Sequence, residues 1–363
     1  MVDSTRMVYE ERARDWAEHR PPRLRQEAEA FSHRCLPNRP VADLGCGPGG
    51  YFPMLGRPLV GLDWAAAMLA EARAAHPDVA VVRADLRALP FAPRRLGGAW
   101  ARASYLHLPR TGLPVALAHA QRALAVGAPL EMTVRAGDGE GVVDHGDFPG
   151  RFFADWRPES LAAVVVGAGF DLDPEGVSVG ASGEWLTARA RSGRTLPDFV
   201  GPDMRALVCG LNPSVVAADA GYGYAGATNR FWRAAVGAGL VAPSRARRPL
   251  EILAADRVGM TDLVKRATPR ASELTAAEYR AGWARVLGVV EWLRPGLVLF
   301  VGLAGWRVAV DREASPGLQP PGAGGSPVPT YVMPSTSGLN AATTMAQLVG
   351  HMEVALAAAP PAF

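Results

Sequence analysis

The sequence is poor in lysine and cysteine and contains no long apolar run. Of its 38 basic residues only Lys265 is a lysine, an arginine bias that carries no functional reading by itself. Its three cysteines, Cys35, Cys46 and Cys209, are odd in number and lack Cys-x-x-Cys spacing. This argues against both a disulfide framework and a structural zinc site, and a reduced, cytoplasmic setting is expected. No apolar stretch approaches the roughly 20 residues a membrane span requires. The opening Met1-Val-Asp-Ser-Thr-Arg6 is polar, so neither secretion nor a membrane partner is expected. Charged residues are 20% and hydrophobic ones 49% of the chain, which excludes disordered and fibrous classes. The small net charge of +3 falls entirely after residue 194, where 15 basic side chains face 12 acidic ones. So slight an excess does not by itself argue for a nucleic-acid partner.

A chain of 363 residues is expected to form two domains, each able to bury its own core. The segment Ser192-Gly-Arg-Thr-Leu-Pro-Asp198 reads as the junction, giving domains over 1–193 and 194–363. The Gly/Pro-rich run 314–327 reads as a surface loop. In the first half, apolar runs at Pro40–Leu44, Leu59–Asp63, Val79–Val82 and Pro129–Val134 alternate with stretches of helical character. The second half does the same with Ala206–Gly210, Leu297–Val301 and Pro329–Met333, joined through a helix over Ala276–Leu293. Such alternation predicts two parallel α/β sheets.

After the first strand comes Asp43-Leu-Gly45-Cys-Gly47-Pro-Gly49-Gly50, and the second strand ends in Asp63 about 20 residues later. Glycines let a tight turn bring backbone N–H groups against a ligand, and an acid closing the second strand can accept two ribose hydroxyls. A third strand ends at Asp85. These three elements, with Tyr105-Leu-His107-Leu-Pro109 and Phe153-Ala-Asp-Trp156, make residues 35–190 resemble the class I S-adenosylmethionine (AdoMet)-dependent methyltransferases. The resemblance implies a Rossmann-like sheet with helices on both faces. It also implies AdoMet as cofactor, held by Asp43, Gly45, Gly47, Gly49, Asp63 as the ribose acid and Asp85 as the adenine acid. The methyl acceptor is not legible. His107 is a candidate base or a hydrogen-bonding residue, and Ala101-Arg-Ala-Ser104 stands where an Asn-Pro-Pro-Tyr-type motif would indicate a DNA adenine.

In the second half, Gly210-Leu-Asn212-Pro-Ser214 follows a strand, then Tyr224-Ala225, then Asn229-Arg-Phe-Trp232. Later come Gly259-Met-Thr261-Asp262 and Pro334-Ser-Thr-Ser337-Gly-Leu-Asn340. Together they resemble the mismatch-specific uracil and thymine DNA glycosylases, a branch of the uracil-DNA glycosylase superfamily, which implies an α/β/α sandwich. The resemblance assigns Asn212 to hold the attacking water, an amide that cannot take a proton as a carboxylate can. It assigns Tyr224, Ser214, Asn229 and the Leu211 backbone to the base. Tyr224 would stack on it, and the small Ser214 would leave space beside C5 of the pyrimidine.

The loop Ser335, Ser337, Gly338, Leu339, Asn340 is the implied insertion loop, with Leu339 as the wedge filling the gap left by a flipped nucleotide and Gly338 allowing close approach to DNA. Asp262 stands where some members carry lysine. Ser335 replaces an asparagine, and Ser214 a commoner glycine. The pocket motifs contain no metal-ligand cluster, so neither a metal nor a cofactor is expected there. The expected partner is double-stranded DNA carrying uracil or a mispaired or damaged pyrimidine, and the chain is expected to act as a monomer. The residues leave one alternative open: a methyltransferase acting on a small molecule or RNA, with a second domain that binds lesions or nucleic acid without catalysis.

Overall fold

The computed structural model describes residues 3–359, which divide into two compact units at the Gly193–Arg194 junction. The first unit opens with three helices, α1 (Asp3–Glu11), α2 (Ala13–His19) and α3 (Arg25–Ser32). Its strands are β1 (Val41–Leu44), β2 (Leu59–Asp63), β3 (Ala80–Arg83), β4 (Gly98–Arg102), β5 (Pro129–Ala136), β6 (Glu140–Val143), β7 (Arg151–Trp156), β8 (Phe170–Val179) and β9 (Trp185–Ser192). Helices α4 (Ala66–Ala75), α5 (Leu113–Ala123) and α6 (Pro158–Gly167) lie between them.

Strands β3-β2-β1-β4-β5 form a parallel series, and β9 pairs antiparallel with β5 and β8. Every residue of β1 is buried. A central parallel strand covered on both faces needs continuous apolar sequence, which is why its run was visible in the sequence. The strands from β6 onward were not. The sequence placed Phe153–Trp156 merely before a helix, whereas it lies in β7, which forms a hairpin with β6 and runs parallel to the end of β5. Strand β8 is half exposed, and its register with β9 shifts between Leu172 and Val177. An edge strand with an irregular register keeps little of the alternation by which strands are read.

The second unit contains β10 (Ala206–Gly210), α7 (Val215–Ala220), α8 (Phe231–Gly237), α9 (Pro249–Asp256), β11 (Val258–Asp262), α10 (Ala276–Leu293), β12 (Val298–Val301), α11 (Leu303–Ala309), β13 (Gly317–Leu318), β14 (Thr330–Met333) and α12 (Met345–Ala358). The sheet order is β11-β10-β12-β14-β13, parallel except for β13. The Gly/Pro-rich run 314–327 is thus more than a loop. It contributes the two-residue edge strand β13, and its Gly324 carbonyl accepts from Trp283 Nε1 at 2.8 Å.

Leu207 and Cys209 of β10 share one core with Trp283, Val286 and Val290 of α10 and Trp306 of α11. Helix α10 starts with a capping box, in which Thr275 accepts from the Glu278 N–H and Glu278 reaches back to the Thr275 N–H. It comes so close to the chain after β11 that a Cβ on Gly282 would lie 2.2 Å from the Leu263 carbonyl oxygen.

Two glycines of α10 therefore respond oppositely to alanine. At Gly288, where an added Cβ meets nothing within 4 Å, Gly288→Ala gains helix propensity and raises stability by about 0.5–1 kcal/mol. Gly282→Ala gains the same propensity but forces the helix off the Leu263 backbone, for a net loss of about 1–3 kcal/mol. Thermal unfolding of the two variants checks the sign. Equal stabilisation by both would contradict the close approach.

Candidate functional site

In the first unit, the carboxyl ends of β1, β4 and β5 surround a cavity of about 410 Å³ bordered by Asp43, Gly45, Gly47 and Asp63. The turn after β1 needs its glycines. Gly45, Gly47 and Gly49 all have positive φ, and a Cβ on Gly45 would meet Ser104 Cβ at 2.3 Å. Asp63 Oδ2 accepts from Gly47 N and Oδ1 from Ala65 N, both at 2.9 Å. These bonds oppose the upward push of burial on its pKa and fix the carboxylate at the rim of the turn. Asp43 Oδ2 is buried without a partner, and burial together with the Asp63 charge raises its pKa well above the usual range. An orphaned buried oxygen beside a glycine cradle fits a ligand that brings its own donors.

Asp85 departs from its expected place. Arg87 engages both of its oxygens, and it does not border the cavity. The short Asp-x-Arg spacing makes that pairing local, which the sequence reading did not weigh. His107 borders the cavity but has no free nitrogen. Nδ1 donates to the Phe152 carbonyl at 2.7 Å, so Nε2 accepts the Tyr9 hydroxyl at 2.8 Å. Burial drives its pKa down to about 3. It is a neutral anchor for Tyr9 and not a free base.

In the second unit, Asn212 follows β10 in the turn toward α7. Its Nδ2 lies 2.8 Å from Thr268 Oγ1, 3.0 Å from the Arg266 carbonyl and 3.1 Å from the Pro213 carbonyl. Two of these atoms can only accept, and the Thr268 hydroxyl spends its proton on the Arg270 carbonyl. The amide nitrogen is therefore the atom that faces them, and Oδ1 points the other way, free to accept from water.

Gly210 sits beneath two polar groups. A Cβ there would lie 2.6 Å from Asp262 Oδ1 and 3.0 Å from the Tyr224 hydroxyl, so only glycine fits. The Tyr224 hydroxyl is buried without a partner, and its ring stacks on Phe231 with centroids 3.9 Å apart. One face of Tyr224 is thereby taken, and a base can stack only on the other.

Asp262 entered the sequence reading only as a missing lysine. The structure brings its carboxylate into the site, at the end of the strand that pairs with β10. Burial pushes its pKa up to about 6 against the pull of Lys265, with Asp198 adding to the rise. A half-buried acid closing a parallel strand beside the Asn212 turn was the signal that could have found it.

The other base-contact candidates are more structural. Ser214 Oγ accepts from Ala217 N and caps α7. The Leu211 side chain is turned toward α11, where a Cβ on Gly305 would meet it at 2.2 Å. Asn229 Oδ1 accepts from Phe231 N at 2.9 Å and Thr336 Oγ1 at 3.0 Å, so it ties the start of α8 to the loop after β14.

That loop is braced from within. Ser335 Oγ accepts from Ser337 N, Ser337 Oγ from Leu339 N, and Asn340 Nδ2 donates to the Ser335 carbonyl and Thr343 Oγ1. Arg230, which the sequence reading passed over, donates to the carbonyls of Ser337, Asn340 and Thr343. Leu339 stands 96% exposed at the tip. Gly338 serves packing inside the protein, since a Cβ would meet Thr228 at 2.6 Å. The glycine is thus required by the fold itself, at the contact with Thr228, whatever it does toward DNA. Among the described residues, no group of three or more His, Cys, Asp or Glu side chains is placed to hold a metal ion, and no helix is long and apolar enough to cross a membrane.

Solved structures similar to this chain include the CcbJ methyltransferase from Streptomyces caelestis, 21% identical over 51% of this chain and 98% of that one, with a TM-score of 0.42. Another is the 1,6-didemethyltoxoflavin-N1-methyltransferase of Burkholderia thailandensis, 18% identical over 53% of this chain and 88% of that one, with a TM-score of 0.41. An S-adenosylmethionine-dependent methyltransferase from Mesorhizobium loti is 20% identical over 45% of this chain and 97% of that one, with a TM-score of 0.37. Residues 41–127 match the family model of a methyltransferase domain and residues 197–356 that of the uracil DNA glycosylase superfamily, so the chain joins one domain of each kind.

Proposed function

We propose that residues 194–363 form a DNA glycosylase of the mismatch-specific kind, which flips uracil or a related mispaired pyrimidine out of duplex DNA and hydrolyses its glycosidic bond. The observation that carries this reading is the fixed orientation of Asn212, whose amide nitrogen is anchored by Thr268 and Arg266 while Oδ1 is left to hold a water. The flipped base stacks on the open face of Tyr224, and Leu339 on its braced loop fills the vacated space in the duplex. Residues 1–193 are proposed to bind AdoMet at the Gly45–Gly49 turn, with Asp63 at the ribose. Bound there, AdoMet supplies an activated methyl group, and the protein's task is alignment of the acceptor.

Hydrolysis needs a group to take the water's proton as the bond to the sugar carbon forms, and Asn212 cannot do so. Asp262, on the strand beside Asn212's, can accept it when ionised. Before that transfer the ionised carboxylate balances oxocarbenium character in the sugar, and it becomes neutral as the water adds, while the departing base keeps the electron pair of the glycosidic bond as an anion that backbone N–H groups of Leu211, Asn212 and Ser214 are proposed to stabilise.

Two measurements test this. In single-turnover assays on a G·U duplex, Asn212→Ala is expected to lose on the order of 100-fold in rate, because a misplaced nucleophile forfeits orientation, while lesion-duplex affinity changes little. Asn212→Asp should retain excision. A parental rate in Asn212→Ala, or a parallel loss of rate and binding, would contradict the assignment. The second test is pH dependence. A carboxyl titrating at about 6 is protonated and inert as a base below that value and ionised above it. The excision rate should therefore rise through pH 6 to a plateau, and Asp262→Asn should lower the rate and abolish the rise. An unchanged profile in that variant would remove Asp262 from the chemistry.

A further inference from the structure

The cavity of residues 1–193 is lined by more positive charge than the protein neutralises. Three guanidiniums stand near one another along the sheet. Arg102 ends β4 and is in register with Thr133 of β5, Arg135 lies two residues on along β5, and Arg151 opens β7. All three border the cavity. Arg135 is paired with Asp155 at 3.1 Å.

The other two are held only by neutral groups. Arg102 Nη1 donates to Thr133 Oγ1 at 2.6 Å, and its guanidinium lies 4.4 Å over the Trp185 ring. Arg151 donates to the Phe148 carbonyl at 2.8 Å and sits 5.0 Å from the Phe153 ring and 5.5 Å from Trp16. Among the described residues, neither lies within ion-pair distance of a carboxylate. Burial pulls the pKa of Arg102 down, and Tyr51 and Glu27 oppose it only in part. Half-buried, unpaired guanidiniums are costly unless a ligand brings the missing charge, and their planar donors suit a carboxylate or phosphate. AdoMet brings one carboxylate but also an ammonium and a sulfonium, so its binding adds net positive charge to the cavity and does not supply the deficit. The rings of Trp16, Phe153 and Trp185 among the lining residues suit a planar apolar body.

We propose that the methyl acceptor is a small aromatic molecule bearing an anionic group, held by Arg102 and Arg151 with its ring packed among these aromatic side chains. The inference rests on reading residues 1–193 as an AdoMet-binding methyltransferase. In the reaction, a lone pair on the acceptor's oxygen or nitrogen bonds to the methyl carbon as the carbon–sulfur bond breaks. The sulfur keeps that electron pair as a neutral thioether, and the acceptor's proton leaves to solvent. Arg102 and Arg151 touch only the anionic group and position the nucleophile.

Calorimetry on the full chain tests this with matched probes, each with and without S-adenosylhomocysteine. Aryl carboxylates such as 4-hydroxybenzoate and anthranilate are compared with their amides, and phenyl phosphate with phenol. These two arms separate carboxylate from phosphate recognition. The expected result is that an anionic probe binds at least about tenfold more tightly than its neutral counterpart, and that Arg102→Gln and Arg151→Gln each remove most of that preference. S-adenosylhomocysteine affinity should stay within about threefold of the parent in both variants, which also shows that they fold.

Three results overturn the proposal: no preference for any anion in the parent, loss of S-adenosylhomocysteine affinity in both variants, which would give these arginines to its carboxylate, or displacement of the probes by a short single-stranded oligonucleotide at lower concentration than by the probes' own kind. Failure of the parent to bind S-adenosylhomocysteine at all would instead overturn the underlying AdoMet reading, and the acceptor assignment with it.

Discussion

One buried carboxylate organises the carboxyl end of the second sheet. Asp198 is 3% exposed, accepts from Thr261 Oγ1 at 2.7 Å and Lys265 Nζ at 2.9 Å, and is paired with Arg285 of α10. Burial alone would raise its pKa, but Arg285 and Lys265 outweigh it and hold the group ionised below the usual range. Arg285 also donates to the Asp262 carbonyl. The cluster thus ties the start of the domain, the end of β11 and α10 into one unit, and removing a single partner would leave an uncompensated buried charge.

That constraint reaches the chemistry through a short segment. The chain from Leu263 to Thr268 leaves the cluster, donates from Leu263 and Val264 to the carbonyls of Gly210 and Leu211, and then presents the Arg266 carbonyl and Thr268 hydroxyl that anchor Asn212. Asn212 is oriented by its hydrogen bonds to this segment, and the segment is held at Lys265 by Asp198. The same cluster sets the charge around Asp262, whose carboxyl lies between the opposing influences of Lys265 and Asp198. The Leu339 loop is organised separately, by the Arg230 guanidinium donating to the carbonyls of Ser337, Asn340 and Thr343.

The parts of this arrangement differ in how far they were legible in the sequence. Central strands such as β2 and β10, and helix α10, were read to their ends, because a strand buried on both faces and a capped helix carry their pattern locally. Asn212, Tyr224 and Leu339 were singled out through the resemblance their motifs carry, and their roles remain those proposed above. Lys265 and Asp262 were passed over. The first was set aside as compositional accident and the second as a lost contact, because their partners Asp198 and Gly210 lie tens of residues away and meet them only across the folded sheet. Ser214 and Gly338 were read toward a ligand, and Arg230, inside the Asn229–Trp232 segment, was given no role of its own. Their hydrogen bonds and close contacts turn inward, which spacing cannot reveal. In the first unit, Asp85 was read as a ligand acid from its place after β3, and the structure adds a pairing with an arginine two residues on that the motif does not announce.

Under the proposed function, an anchored amide and a neighbouring carboxylate break a glycosidic bond, and the second unit does more than recognise lesions. The most direct measurement is release of free uracil by the parent protein from a G·U duplex, followed by chromatography together with alkali cleavage of the abasic strand. The proposed activity requires stoichiometric, if slow, release of uracil and strand breakage at that position alone. Tight and selective binding of the same duplex with no uracil released over prolonged incubation would contradict it.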